Sequence, residues 1–330
     1  MNPLLPEAIA KLIDWSLART TRFHQLPSGL TYIKREDELS SGVTGSKLRK
    51  YASLLPYLDR NEIRTVGLIG GPNSNNLVGI LQLLKEKGVE PLLFLREAAD
   101  ARKRGNALFL SMLAPPNSIR RIPRSEWQSV ETVAQELLPK EASFLIPEGA
   151  LCFEALPGAM SLASDLLRNE AEDDTFFERI FIDSGTGMSA IGLLLGLRLL
   201  DPRCRQREIV ITLIAGEAEN FLEQLRRFEQ RFEGKFSLPL GERPKFVFLV
   251  PPTAAKYGAT NASVLQACHR IAQTEGLLMD PIYSVKHYLA AEQFLHENDQ
   301  STPSLFIYNG GSLGICGFLD RLSDSLDGEQ

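Results

Sequence analysis

Cysteine is scarce and scattered. Cys152, Cys204, Cys268 and Cys316 are the only four in 330 residues, and no two form a C-x-x-C pair. That predicts free thiols in a reducing compartment and argues against a disulfide framework or a thiolate zinc site. Histidine is equally sparse. His24, His269, His287 and His296 lack metal-ligand spacing, so no metal is expected. His24 reads as a surface residue, and His287 and His296 as structural positions on a helical stretch. Basic blocks are missing too: 36 Lys and Arg face 41 Asp and Glu, for a net charge of −5. This argues against a nucleic-acid partner. No apolar run reaches membrane-spanning length. The first fifteen residues combine acids with an early proline and lack the basic and apolar segments of a secretory leader. A cytoplasmic protein without a membrane partner is expected.

What is present is an ordinary globular composition, 44% hydrophobic and 23% charged, long enough for one large domain or two closely packed ones. Apolar, β-rich runs alternate with segments of helical period. Strands are predicted at 65–69, 91–95, 119–122, 143–146, 179–183, 208–214, 245–250 and 304–308. Helices are predicted at about 77–87, 103–113, 126–138, 154–169, 187–200, 217–234, 261–275 and 286–297. Such alternation predicts an α/β fold of parallel, doubly wound sheets covered by helices on both faces. The strands are too many for one compact sheet, so two lobes with a cleft between them are expected. No internal repeat or low-complexity tract is evident, and the polar tail 323–330 reads as frayed.

In open α/β sheets, ligands gather at the carboxyl ends of strands, and four such places carry unusual residues. Asp183-Ser184-Gly185-Thr186-Gly187-Met188-Ser189-Ala190 follows a strand and opens a helix. Small residues at a helix N-terminus make an anion cradle, although Gly185-x-Gly187-x-x-Ala190 also satisfies the dinucleotide fingerprint. Lys34-Arg35-Glu36-Asp37 precedes Gly45-Ser46-Lys47-Leu48-Arg49-Lys50. There Lys47 opens a helix beside Arg49 and Lys50, a setting that would lower an amine pKa; a solvated basic face would look the same. Gly70-Gly71-Pro72-Asn73-Ser74-Asn75-Asn76 places hydroxyl and amide groups at a strand tip, as a plain turn also would. Lys256-Tyr257-Gly258, Asp280-Pro281-Ile282-Tyr283-Ser284 and Tyr308-Asn309-Gly310-Gly311 offer tyrosines at loop tips. These could orient a substrate or move a proton, or simply be buried with satisfied hydroxyls.

The order of these segments, with Pro147-Glu148-Gly149 between them, resembles the 1-aminocyclopropane-1-carboxylate deaminase and D-cysteine desulfhydrase family of fold type II pyridoxal-phosphate enzymes, relatives of tryptophan synthase β. The resemblance spans about residues 30–320. It implies two lobes with pyridoxal 5′-phosphate in the cleft, and a homodimer acting on a small amino acid. The larger, cofactor-binding lobe is expected to comprise 1–50 and 160–330, and the smaller 51–159. Gly-Ser-Lys-Leu-Arg-Lys is similar to the family's Gly-Asn-Lys-x-Arg-Lys, which makes Lys47 the cofactor-bearing lysine. By the same resemblance Ser184, Gly185, Thr186, Gly187, Met188 and Ser189 form the phosphate loop, and Asn75 bonds the cofactor's 3′-oxygen. Ser74, Asn75 and Asn76 meet the substrate carboxylate, Tyr257 and Tyr283 are the active-site tyrosines, and Ser284 faces the pyridine nitrogen. Asn309 joins the cofactor contacts.

The chain also departs from the family pattern. Asn73-Ser74-Asn75-Asn76 stands where relatives read Gln-Ser-Asn-His or Gln-Ser-Asn-Gln. Ser284 stands where the deaminases have Glu, and Ala150-Leu151-Cys152 follows Pro-Glu-Gly. A hydroxyl at 284 makes a weaker electron sink than a carboxylate would. That favours β-elimination, yielding a keto acid and ammonia, over cyclopropane opening, which remains the alternative activity. Two other classes stay open. One is a nicotinamide-dependent oxidoreductase using Gly185–Ala190 and Glu217. The other is a non-catalytic relative that keeps the cofactor or a small ligand.

Overall fold

The computed structural model describes residues 4–40, 42, 45–98 and 104–327. Its strands are β1 (Phe23–Gln25), β2 (Tyr32–Arg35), β3 (Thr65–Gly70), β4 (Glu90–Arg96), β5 (Ile119–Ile122), β6 (Ser143–Ile146), β7 (Arg179–Ser184), β8 (Glu208–Leu213), β9 (Lys245–Leu249) and β10 (Ser304–Tyr308). They form two sheets. One has six strands in the order β1-β2-β10-β7-β8-β9, the other four in the order β5-β4-β3-β6. The chain starts in the larger sheet, leaves it to build the smaller one from consecutive strands, and returns.

All pairings are parallel except β1 with β2, where Phe23 faces Lys34. The two parallel sheets expected are present, and the antiparallel β1 lies ahead of the first strand read from the sequence. The connection explains its direction: Leu26 to Thr31 is too short for a parallel crossover and holds Pro27 and Gly29, whose φ is +74°. A short turn of this kind can only join antiparallel strands.

The helices are α1 (Glu7–Ala10), α2 (Lys47–Arg60), α3 (Asn75–Glu86), α4 (Asn106–Leu113), α5 (Val130–Leu137), α6 (Leu156–Glu172), α7 (Met188–Leu200), α8 (Ala218–Phe236), α9 (Ala262–Glu275), α10 (Ser284–Glu297) and α11 (Leu319–Asp327). Both faces of the larger sheet are covered. Ile180, Ile182, Ile209 and Ile211 pack with α6, α7 and α8. Phe181, Val210 and Phe306 point the other way, into a core with α9 and α10. This alternation is the period-two signature of a strand buried on both faces. The smaller sheet buries Val66 and Leu68 with α2, α3 and α4, and Ile69 and Phe94 with α5. His287 is a core residue as expected, stacked on Phe306 with its Nδ1 2.8 Å from the Thr212 hydroxyl.

A buried charge network joins the parts. Arg49 donates to both oxygens of Glu36, at 2.5 and 2.7 Å, and to Asp165 Oδ2 at 2.5 Å. Lys34 Nζ lies 2.9 Å from the same Asp165 oxygen and donates to Asn169 and to the Thr21 carbonyl. Thr21 Oγ1 donates to Glu36 at 2.6 Å. All four charged side chains are almost inaccessible. At the same crossing, α6 meets α2 through Gly158: a Cβ there would lie 2.0 Å from the Arg49 carbonyl oxygen.

Removing one partner of such a pair strands the others in a dry interior. Arg49→Met is expected to destabilise the protein by about 3–5 kcal/mol, read as a fall in the urea midpoint at unchanged slope. A loss below about 1 kcal/mol, the scale of a surface pair, would show that the network does not hold the fold.

Candidate active site

The carboxyl ends of both sheets converge on a cleft of roughly 270 Å³. Each side chain in it is placed by a local rule of chain geometry. β3 ends at Gly70, and Ser74 then caps α3, its Oγ accepting from the Leu77 N–H at 3.3 Å. Asn75 and Asn76 therefore fall in the first turn, where unpaired N–H groups point out of the helix. β7 runs into Asp183 and Ser184, and Gly187 turns the chain into α7 with φ +96°. Lys47 is the first residue of α2. That turn is stitched to the end of β10 by the Ser46 N–H, 3.1 Å from the Asn309 carbonyl. The approach needs glycine at 45, because a Cβ there would sit 2.3 Å from the same oxygen.

The structure brings most of the expected residues together. Lys47, Ser74, Asn75, Asn76, Tyr257, Tyr283 and Asn309 all line the cleft, as do Gly185, Thr186, Gly187, Met188 and Ser189. Ser184 and Ser284 lie behind its wall. Ser184 is buried in the strand, and its carbonyl accepts from Ile214 and Ala215. The Ser284 hydroxyl donates to Asp280 Oδ2 at 2.7 Å and approaches the Gly310 carbonyl at 3.2 Å.

Four lining residues with ionisable side chains were missed as site candidates: Lys50, Arg96, Glu148 and Asp183. Lys50 had a signal, since it follows Lys47 by three positions and shares its face of the helix. Arg96, Glu148 and Asp183 each sit at or just beyond the carboxyl end of a buried strand.

Burial dominates the electrostatics. It lowers the Lys47 pKa, while Asp183 and Asp280 pull it back up. The expected influence of Arg49 is absent, because Arg49 is turned away into the buried network. The Lys50 ammonium, which donates to the Gly149 carbonyl at 3.2 Å, is pushed down to about 7 by burial and then by Lys47. Asp183 is raised by burial, opposed by a 2.7 Å hydrogen bond from Asn309 Nδ2 and by Lys47. Asp280 is likewise raised by burial although it accepts from the N–H groups of Ile282, Tyr283 and Ser284. The Tyr257 and Tyr283 hydroxyls lie 3.0 Å apart, and burial holds both phenols in the protonated form.

Two buried polar atoms of lining residues have no partner among the described residues: Asn76 Nδ2 and Asn309 Oδ1. Asn76 Oδ1 is anchored by the Tyr51 hydroxyl and Asn309 Nδ2 by Asp183, so each amide presents a fixed, unused group. Buried groups of this kind are costly unless something satisfies them. Together with a glycine-turned helix N-terminus and two lysines, they fit a small anionic ligand that carries a carbonyl and a hydrogen-bonding ring.

No protein-family model matches the chain. A curated protein from Pyrococcus furiosus, described as a putative 1-aminocyclopropane-1-carboxylate deaminase, is 23% identical over 332 residues, covering 98% of this chain and 99% of its own. A D-cysteine desulfhydrase from Serratia proteamaculans is 24% identical over 299 residues, covering 87% of this chain and 88% of its own. A solved structure described as an ACC deaminase homologue has a TM-score of 0.80 at 22% identity, covering 97% of this chain and 100% of that one. The fold is therefore that of this group, the fold type II pyridoxal-phosphate enzymes, and the curated proteins are homologues of the chain along most of its length.

The low pKa of Lys50 sets a pH dependence. Between about pH 7 and its ordinary value of 10.5, the unfolded chain holds a proton on Lys50 that the folded chain does not. Stability therefore rises with pH across that window. The cofactor-free protein is expected to gain stability from pH 7 to 10 in urea titrations, and Lys50→Met to flatten the gain. An identical slope in the variant would show that Lys50 keeps its proton on folding.

Proposed function

We propose that the chain, a homologue of the 1-aminocyclopropane-1-carboxylate deaminases and D-cysteine desulfhydrases, is a pyridoxal-phosphate-dependent lyase that removes the β-substituent of a small amino acid, releasing a keto acid and ammonia. The observation that carries this reading is the Lys47 amine in a cleft shared with Asn76 Nδ2 and Asn309 Oδ1, the two unsatisfied buried groups. Bound there, pyridoxal 5′-phosphate would supply the electron sink for the pair left by a broken Cα–H bond.

The protein's own groups do the rest. Gly185 to Ser189, at the N-terminus of α7, and the Lys50 ammonium hold the phosphate. Lys47 carries the cofactor and, once freed, accepts the Cα proton. Its lowered pKa raises the share of neutral amine available for both tasks. Asn75 is assigned to the ring oxygen, and the first turn of α3, with Ser74 and Asn76, receives the substrate carboxylate. Tyr283 and Tyr257 orient the departing group with their retained protons.

Ser284 decides between the activities named for the relatives. Its hydroxyl is committed to Asp280, and it supplies no carboxylate to keep a pyridine nitrogen protonated. The weaker sink suits elimination, in which the leaving group carries charge away. Glu217, which a nicotinamide ribose would need, does not line the cleft. A homodimer in the cytoplasm, with lobes of 1–50 plus 160–330 and of 51–159, belongs to the same reading. The free cysteines support the compartment, and no helix among the described residues is long and apolar enough to cross a membrane.

An absorption spectrum of the purified protein tests the cofactor assignment. We expect a visible band that borohydride abolishes, with the reduced adduct mapping to Lys47, and a folded Lys47→Ala variant that forms no keto acid. A colourless protein that takes up no added pyridoxal phosphate overturns the reading. Ser284→Glu is expected to raise the ratio of 1-aminocyclopropane-1-carboxylate ring opening to D-cysteine elimination. An unchanged ratio would show that residue 284 does not set the state of the ring nitrogen.

A further inference from the structure

Arg96 ends β4 and lines the cleft half-buried. Other arginines with so little exposure are paired: Arg35 with Asp37, Arg179 with Glu208, Arg198 with Glu229. Arg96 makes no hydrogen bond or ion pair with any described residue. Its guanidinium instead lies against Trp127, 5.4 Å from the ring centre. Stacking of this kind orients the group while leaving its five N–H donors unspent.

Its place in the sheet says what it faces. In the order β5-β4-β3-β6, the glycine loop meets the β6 side, where Gly149 abuts Thr186. Arg96 is on the opposite, β4 side of β3. A Cβ on Gly71 would come within 3.7 Å of one of its terminal nitrogens. The Gly71–Asn76 loop, whose helix start is assigned to the substrate carboxylate, thus lies directly beside Arg96. Arg96 lines the cleft beside that loop and acts electrostatically on Tyr257 and Glu148. Burial raises the Glu148 carboxyl above the usual carboxylate range, and the nearby Arg96 guanidinium opposes that rise.

We infer that Arg96 binds an oxyanion on the substrate's β-substituent, so that the substrate class is β-substituted amino acids whose leaving group is a phosphate, sulfate or thiosulfate. This rests on the lyase reading above. The Cα–H bond breaks and its proton passes to Lys47. The Cβ–O or Cβ–S bond breaks with its electron pair leaving on the oxyanion, and one water releases ammonia and the keto acid. O-phosphoserine plus water thus gives pyruvate, ammonium and phosphate, with no oxidant or reductant. A planar guanidinium matches such a group with two parallel hydrogen bonds and meets the charge that grows as the bond breaks.

The test compares holoenzyme and Arg96→Met, which keeps an apolar stem on Trp127. Keto-acid release is measured from both enantiomers of O-phosphoserine, S-sulfocysteine and β-chloroalanine. In parallel, calorimetry measures binding of 2-amino-4-phosphonobutanoate, in which carbon replaces the ester oxygen of O-phosphoserine so that no group can leave from Cβ. In the variant, kcat/KM for the two oxyanion substrates relative to β-chloroalanine is expected to fall about tenfold to a hundredfold, the weight of a hydrogen bond to a charged group. The Kd of the phosphonate is expected to rise by a similar factor. An equal loss on all three substrates would mean that Arg96 takes the α-carboxylate, and no loss that it only stacks on Trp127; either overturns the inference. A wild-type enzyme active on β-chloroalanine but not on the oxyanion substrates also overturns it and leaves the lyase reading standing. If no amino acid is turned over, the lyase reading fails, while phosphonate binding still reports on Arg96 alone.

Discussion

The structure depends on a buried guanidinium having somewhere to put its charge. Arg49 is 1% exposed, and a cation there is tolerable only when carboxylates and hydrogen bonds replace water. Glu36 and Asp165 do so, and Lys34 balances the sum to two positive and two negative groups. The four come from β2, the turn after it, α2 and α6, so the network closes only when those elements meet in one arrangement. The consequence for the cleft is geometric. Residues two apart on a helix point about 200° apart, so sending Arg49 into the interior sends Lys47 out of the opposite side. Lys50, three positions on, returns to the Lys47 side. One ion network thus sets the direction of the Lys47 amine and of the second lysine.

The cleft depends on a second balance. Burial discourages charge on Lys47, on Lys50 and on Asp183 and Asp280, while the carboxylates and lysines favour charge on each other. Such a set is poised, because a proton or an anion entering the cleft shifts several of its members at once. A helix N-terminus with unspent N–H groups and two amides with unspent polar atoms add fixed dipoles that need no rearrangement to meet a ligand.

Much of this was legible in the sequence, for identifiable reasons. Buried parallel strands are short apolar runs, and β3 to β10 all fall where such runs were read. The loops that build the cleft follow those strands directly, so most candidate residues could be named from strand ends alone. The rest depended on contacts between distant segments. Arg49 and Lys50 are adjacent, and the sequence alone suggested one basic face; only the packing of α6 against α2 shows that one is a buried anchor and the other a cleft residue. Ser284 was read as facing the cofactor, and nothing in the sequence showed that its hydroxyl is also engaged by Asp280 four residues earlier. Arg96 gave no sign of its surroundings, because an arginine ending a strand is ordinary until Trp127, thirty-one positions later, proves to lie against its guanidinium.

The proton donors of the cleft bear on which bond it can break. Tyr257 and Tyr283 hold their protons more tightly than a free phenol because burial disfavours the phenolate; the hydrogen bond between them adds to this at Tyr283 and opposes it at Tyr257. A donor whose pKa lies far above the working pH is a weak general acid. Opening a cyclopropane leaves a carbanion that must be protonated, a hard task for such donors. A β-substituent that departs as a stable anion needs orientation and a countercharge instead. The cleft offers both, in the paired phenols and in an arginine whose donors no described residue uses, and on those grounds its chemistry favours elimination.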